Sequence, residues 1–326
     1  MQVISVLVKL YKMFQKSTYL FLMIINSGLS ILWDESNFPK ISDIELTKEP
    51  LQINETYTQV KLDNVNGTLY ATSLSKLSKI TDLQIYTNGL EDVEDGAFCS
   101  SPSLKNFEIL FYTKEKPLTI TKNILKNCDK LEKLEIVTNT DNMLLLAQDA
   151  LENLPKLKQL QLMGFNLTQL STNYFQNLNL LETLTIRSCN VEKIDPNFLD
   201  NFPNLKKFEF SWNHITQLPP NFFKKSSKLE NLYLDRNNLT DLSWDEFDGL
   251  TSLKYLDISA NQISSFNAEK IAKYLPNLTG LYFTFNPLEC NKREAFANEL
   301  IKKLNRTIEI RHKFDPGFFD SCEVFE

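Results

Sequence analysis

Aromatic and charged residues recur at fixed intervals in the C-terminal half of this chain. One set of positions reads Lys207, Glu209, Ser211, Trp212, then Asn231, Tyr233, Asp235, Arg236, then Tyr255, Asp257, Ser259, then Tyr282, Thr284, Phe285. Trp, Tyr and Arg anchor molecular interfaces because they bury a large area at low entropic cost and carry a polar handle. Trp212, Tyr233, Asp235, Arg236, Tyr255, Asp257, Tyr282 and Phe285 are therefore the candidate ligand-binding residues. The competing role for the tyrosines is structural, with Tyr233 stacking across a sheet against Tyr255 or Tyr282.

Catalytic chemistry has no comparable foothold. No nucleophile motif, phosphate loop, dinucleotide fingerprint or paired-carboxylate arrangement stands out, so the expectation is a non-enzyme without a cofactor. The two histidines, His214 and His312, are far apart and neither neighbours a cysteine pair, so no metal site is expected. A formal charge of −6 lacks the basic field that phosphate backbones need, which argues against nucleic acid as a partner.

The elements that position these residues follow from a repeat. ITDLQIYTNGL from Ile80, LKQLQLMGFNL from Leu157, LETLTIRSCNV from Leu181, LKKFEFSWNHI from Leu205 and LENLYLDRNNL from Leu229 align in one register. LKYLDISANQI from Leu253 and LTGLYFTFNPL from Leu278 complete the clear set, and weaker units begin at Leu104 and Leu131. The seven clear segments fit L-x-x-L-x-L-x-x-N-x-L, and starts from Leu157 to Leu253 fall 24 residues apart. The fold class expected is α/β: a leucine-rich-repeat solenoid, a curved horseshoe with a parallel β-sheet on its concave face, and a C-terminal disulfide cap.

Period-2 alternation within each strand points the fourth and sixth positions inward and the third, fifth, seventh and eighth to solvent. The fifth position runs Gln84, Glu108, Glu135, Gln161, Thr185, Glu209, Tyr233, Asp257, Tyr282, with several acids and no base, to which a cationic partner surface would be complementary. A solvated face accounts for the same row. At the ninth position a side-chain amide can satisfy the backbone of each turn, giving an expected ladder of Asn88, Asn139, Asn213, Asn237, Asn261 and Asn286. Tyr112, Phe165 and Cys189 interrupt it, the thiol as a tolerated substitute. Phe98, Phe175, Phe223 and Phe247 share the nineteenth position and should form a buried aromatic spine on the convex side.

The organisation expected is a signal peptide over 1–30, an N-terminal cap with a degenerate first repeat over 31–79, repeats over 80–288 and a C-terminal cap over 289–326. Lys9, Lys12 and Lys16 precede the apolar run 19–25, and Asn26, Ser27, Gly28 and Ser30 follow it, as in a secretory signal. Translation starts at Met1 or Met13. A retained anchor is the alternative, but residues 19–33 fall short of the ~20 that a membrane span needs. Cleavage would leave a charge of about −9, a secreted chain and no stable membrane insertion.

In the C-terminal cap, Phe296, Leu300 and Leu304 recur every four residues, an amphipathic helix suited to cover the last coil. Five cysteines suit an oxidising compartment. Cys290 with Cys322 would close the cap, Cys99 with Cys128 would join neighbouring repeats, and Cys189 is left as a buried thiol. Six Asn-x-Thr sequons, at Asn54, Asn66, Asn166, Asn238, Asn277 and Asn305, fit a secretory route. Glycans on Asn166 and Asn238 would crowd one rim.

The repeat, signal segment and Cys-bearing cap resemble the extracellular leucine-rich-repeat family, and in layout the small secreted leucine-rich-repeat immune proteins of insects without a coiled coil. It departs from relatives in having no cysteine cluster at its N-terminal cap and one cysteine pair, not two, at its C-terminal cap. The resemblance implies a recognition module for an extracellular protein or a microbial surface ligand, with innate immune recognition as one setting. Two other functions stay open: an adhesion protein of the cell surface or matrix, and an inhibitor of an enzyme or toxin.

Overall fold

Each leucine-led segment contributes one strand, because a short run with alternating apolar residues buries one face and leaves the other outward. A computed structural model describes residues 39–54, 56–112, 116–139, 144–240 and 242–311. The strands in chain order are β1 (Lys40–Leu46), β2 (Gln59–Leu69), β3 (Asp82–Val93), β4 (Asn106–Phe111), β5 (Leu118–Ile120), β6 (Lys133–Thr138), β7 (Leu144–Leu146) and β8 (Gln159–Met163). They continue as β9 (Gln169–Leu170), β10 (Thr183–Arg187), β11 (Lys193–Ile194), β12 (Lys207–Glu209), β13 (Asn231–Tyr233), β14 (Tyr255–Asp257), β15 (Gly280–Tyr282) and β16 (Glu309–Arg311).

Among the described residues twelve of these form one parallel sheet in the order β1-β2-β3-β4-β6-β8-β10-β12-β13-β14-β15-β16. The pairs β5 with β7 and β9 with β11 make two small parallel sheets beside it. The register is in step: Thr183, Lys207, Asn231, Tyr255 and Gly280 lie side by side, and so do Thr185, Glu209, Tyr233, Asp257 and Tyr282. This is a leucine-rich-repeat solenoid.

Fourth- and sixth-position side chains such as Leu232, Leu234, Leu256 and Ile258 are fully buried. Phe98, Phe175, Phe223 and Phe247 are buried as the spine, with the Phe223 and Phe247 rings stacked at 5.6 Å. At the C-terminal end α1 (Ala268–Tyr274) precedes β15 and α2 (Cys290–Leu304) follows it. Asn267 caps α1 by accepting from the Lys270 N–H at 2.9 Å. Phe296 and Leu300 of α2 are buried, and the Phe296 ring lies 5.3 Å from Phe283 and 5.2 Å from Phe266.

Strand exits take two forms. In β3, β4 and β6 the extended chain runs on through the eighth position, so alternation turns Thr87, Phe111 and Thr138 inward. Thr87 Oγ1 donates to the Val65 carbonyl at 2.6 Å and accepts from the Leu90 N–H at 2.8 Å. Asn88 and Asn139 are consequently exposed, and neither belongs to the buried ladder expected of them.

From Gly164 onward every eighth-position residue is left-handed: Gly164 (φ 77°), Ser188 (52°), Trp212 (58°), Arg236 (56°), Ala260 (53°) and Phe285 (56°). That residue breaks the alternation and drops the ninth side chain into the core. Asn213, Asn237, Asn261 and Asn286 are buried there, and each amide donates to a carbonyl of the preceding unit, at Ile186, Phe210, Leu234 and Ile258 respectively. Cys189 holds the equivalent place with its thiol 3.2 Å from the Arg187 carbonyl, and Phe165 fills it with a ring. Burial pushes the Cys189 thiol up to about 12, so it stays a thiol. Arg293 of α2 terminates the ladder, its Nε donating to Leu288 O at 2.8 Å and its Nη2 to Asn286 O at 3.1 Å.

Cys99 and Cys128 are joined by a disulfide between neighbouring units, with their Cα atoms 5.2 Å apart. The pairing of Cys290 with Cys322, the signal segment and His312 lie outside the described residues and side chains.

Candidate functional site

The outward side chains of β10 to β15 form a continuous polar and aromatic surface. Its centre is Glu209, which pairs with Arg187 at 3.2 Å and Lys207 at 3.0 Å. The Lys207 ammonium also lies 5.1 Å from the Tyr233 ring centroid. Trp212 receives two guanidiniums: Arg236 at 4.3 Å from its ring centroid, because the left-handed eighth position sets these successive side chains side by side on the rim, and the seventh-position Arg187 at 5.9 Å.

Asp235 accepts a hydrogen bond from the Ser211 hydroxyl and lies 3.9 Å from Arg236 Nε. Asp257, one strand on, accepts from the Ser259 N–H at 2.9 Å. Burial, and then the negative charge of Asp235, push the Asp257 carboxyl up to about 7 against the weaker opposing pull of Arg236. Asp235 is raised chiefly by burial, and burial lowers Arg236 and raises Tyr233.

Tyr255 and Phe285 are the exposed aromatics, at 37% and 38%. The Tyr255 ring lies against Gly280 of the next strand, where a β-carbon would come within 2.6 Å of it. The structure thus places Trp212, Tyr233, Asp235, Arg236, Tyr255, Asp257, Tyr282 and Phe285 on one stretch of surface, while the Tyr255 ring packs on backbone rather than being free. Arg187, absent from the candidate set, belongs with it. The signal was present in sequence: it is a seventh-position base preceding Ser211 and Asp235 at the same 24-residue step.

The outward face of β3 to β8 differs. Its seventh-position residues Tyr86, Leu110, Val137 and Met163 were expected in solvent but are buried, because apolar neighbours in adjacent strands cover one another. Glu108 and Glu135, also expected in solvent, are adjacent in register and nearly closed off. Glu108 accepts from the Tyr86 hydroxyl at 3.0 Å and the Gln84 amide at 3.1 Å. Lys133 pairs with Glu135 at 3.0 Å, and Lys61 sits 3.8 Å from the Tyr86 ring centroid. Burial, followed by Glu135, raises Glu108.

Of the sequons, Asn54, Asn238, Asn277 and Asn305 are exposed, while Asn66 and Asn166 are half-buried. Asn66 also donates to the Asn64 carbonyl at 3.2 Å and its side chain fills the space above Gly89. Among the described residues there is no cluster of three metal-ligating side chains, and no helix is long and apolar enough to cross a membrane.

No curated protein sequence matches this chain. The leucine rich repeat family matches residues 180–239, 203–263 and 227–288, and the BspA type leucine rich repeat region (6 copies) matches residues 53–182. Among solved structures, the chain is similar to the TLR13–ssRNA13 complex at 22% identity and a TM-score of 0.60, over 78% of this chain and 36% of the other. It also matches the Toll–Spatzle complex of Drosophila at 17% identity and a TM-score of 0.44, over 76% of this chain and 42% of the other. The chain therefore spans less than half the length of either of these neighbours. The repeat matches together run from residue 53 to 288, along the same strands that stack into the parallel sheet, and the chain belongs to the leucine-rich-repeat proteins.

Proposed function

We propose that this protein is a recognition module that binds an extracellular protein or a microbial surface ligand through the C-terminal half of its concave face, in a secreted, glycosylated form. The observation that carries this reading is the difference between the two halves of the face. From β3 to β8 the seventh-position side chains Tyr86, Leu110, Val137 and Met163 are buried with Glu108 and Glu135, whereas from β12 to β15 Tyr255 and Phe285 stay exposed beside Trp212, Arg236 and two perturbed aspartates. Exposed aromatics beside charge-bearing groups are what binding surfaces use. The solenoid is typically a binding scaffold rather than an enzyme, and its strand face is preformed, so little order has to be gained on binding.

The experiment is capture of partners from extracellular fluid by the chain secreted from cells, beside a folded Tyr233→Ala, Tyr255→Ala, Arg236→Ala variant. Capture by the natural chain and not by the variant supports the reading. Equal capture by both moves the site to a flank or cap. Capture by neither favours the second function, adhesion at a cell surface, where the chain would stay with cells and keep the residues before Ile31. Single-stranded RNA is the control ligand, since one structural neighbour is in complex with it. The acidic charge predicts no binding.

A further inference from the structure

We propose that Asp257, with Tyr233, Tyr255 and Tyr282 around it, forms a receptor for a single cationic side chain, an arginine or lysine presented by a protein partner. The proposal rests on the concave-face reading above and names the chemistry of its ligand.

The sheet contains its own template for the site. Glu209 and Asp257 occupy the same fifth position two strands apart. Around Glu209, the seventh position of the preceding strand segment supplies Arg187 at 3.2 Å, and the third position of its own strand supplies Lys207 at 3.0 Å. The equivalent positions around Asp257 are Asp235 and Tyr255. Both bases are replaced, one by a second acid and one by an aromatic ring.

No other base takes their place. The Arg236 guanidinium lies on Trp212 and beside Asp235, Lys207 is held by Glu209 and Tyr233, and Lys254 pairs with Glu230 at 2.7 Å. Among the described residues Asp257 has no ion pair, and its carboxylate accepts from Ser259 alone. Tyr233 and Tyr282 flank it in register, and strands ~4.8 Å apart put their rings within reach of anything that contacts the carboxylate. Tyr255, two residues earlier on the same face, is fixed against Gly280. Aromatic faces around a carboxylate favour a cation and, by excluding water, favour a guanidinium or ammonium over a hydrated metal ion.

The charged and titratable groups facing Asp257 are Asp235, Arg236 and Tyr233 from the β13 unit, Tyr255 on its own strand and Tyr282 on β15, with Glu209, Lys207 and Arg187 beyond. Of these only Asp235 raises the carboxyl electrostatically to a marked degree. A bound cation must therefore draw a proton off Asp257 near neutral pH.

The test is an NMR titration of the full chain with the blocked peptide Gly-Gly-Arg-Gly-Gly and its citrulline counterpart, which keeps the shape and loses the charge. The arginine peptide is expected to shift the Tyr255 and Tyr282 ring resonances, to bind at least tenfold more weakly to Asp257→Asn and to Tyr255→Leu, and to bind about fivefold more weakly at pH 5.5 than at pH 8. Equal binding of the citrulline peptide, or undiminished binding to a folded Asp257→Asn, overturns the proposal. If Asp257→Asn still captures the natural partner that the triple face variant loses, the concave-face reading stands and the cation receptor falls.

Discussion

The units before and after Gly164 solve one problem in different ways. Both must end a strand and turn the chain toward the convex side without leaving buried backbone groups unpaired. The earlier units stay extended through the eighth position and bury Thr87, Phe111 and Thr138, and the Thr87 hydroxyl pairs with the Val65 carbonyl and the Leu90 N–H. The later units insert a left-handed residue and close the turn with an amide that reaches the preceding unit. The first device makes long strands whose outward rows pack against one another. The second makes three-residue strands from β12 to β15 and projects every eighth side chain onto the rim, so the repeat that stiffens the scaffold also displays Trp212, Arg236 and Phe285.

The sharpest way to break this comparison is to remove an amide from each half. Asn261 donates to the carbonyls of Leu234, Ile258 and Ser259 and accepts from the Leu239 N–H, all between 3.0 and 3.2 Å. Asn261→Ala leaves these buried groups unpaired and should cost about 4 kcal/mol, read from urea unfolding. Asn139→Ala, at the same motif position but exposed, should stay within about 0.5 kcal/mol. Equal losses would mean that the two exits do not differ.

Gly164 stands at the junction. It has φ 77°, and a β-carbon there would lie 2.5 Å from both the carbonyl oxygen and the Cγ2 of Thr138, the last residue of β6. Gly164→Ala should cost about 3 kcal/mol, since neither the backbone angle nor the neighbouring strand can give way. Ser188 has the same left-handed backbone one unit later, and its Oγ is shut off from solvent without a hydrogen-bond partner among the described residues. Ser188→Gly should therefore raise stability by about 0.5–1 kcal/mol in the same assay.

These residues also show where sequence reading succeeds and where it fails. The period, the inward leucines and the phenylalanine spine were legible because burial imposes one residue type at one spacing. The ladder was misassigned at Asn88 and Asn139 because the motif letter is Asn in both halves. The deciding residue is the one before it: β-branched Thr87 and Thr138 resist the left-handed region, which Trp212, Arg236, Ala260 and Phe285 enter ahead of the buried asparagines. The binding anchors were legible as residue types. The roles of Arg187 and Gly280 were not, since they depend on which side chains the register sets side by side.

The aspartates distinguish the two faces by pH. Asp257 titrates at about 7 in the folded chain, above the ~3.9 of an unfolded aspartate, so folding favours its protonated form. The stability this contributes is full below about pH 4 and is lost as pH rises through 7. Asp257→Asn should abolish that loss and be more stable than the natural chain by up to about 4 kcal/mol at pH 8, with little difference at pH 4. Glu108→Gln should change less, because the Tyr86 hydroxyl, Lys133 and Lys61 offset the burial of Glu108. Unfolding midpoints at the two pH values decide, and parallel curves for Asp257→Asn and the natural chain would contradict the assignment.

The smallest effect is expected where the two halves are alike. The second position alternates in sign from Glu132 through Lys158, Glu182, Lys206 and Glu230 to Lys254, with pairs at 2.7, 2.8 and 2.7 Å. The row crosses the junction at Gly164 unchanged, because the second position precedes the strand and is untouched by how the strand ends. These side chains are a third to a half exposed, so water and salt screen the attraction and side-chain entropy offsets the remainder. Lys206→Ala should leave the urea midpoint within measurement error in 0.15 M salt and shift it slightly at low salt. A large loss in Lys206→Ala would mean that the row acts as a network along the solenoid, and a loss confined to one side of Gly164 would extend the difference between the halves to the rim.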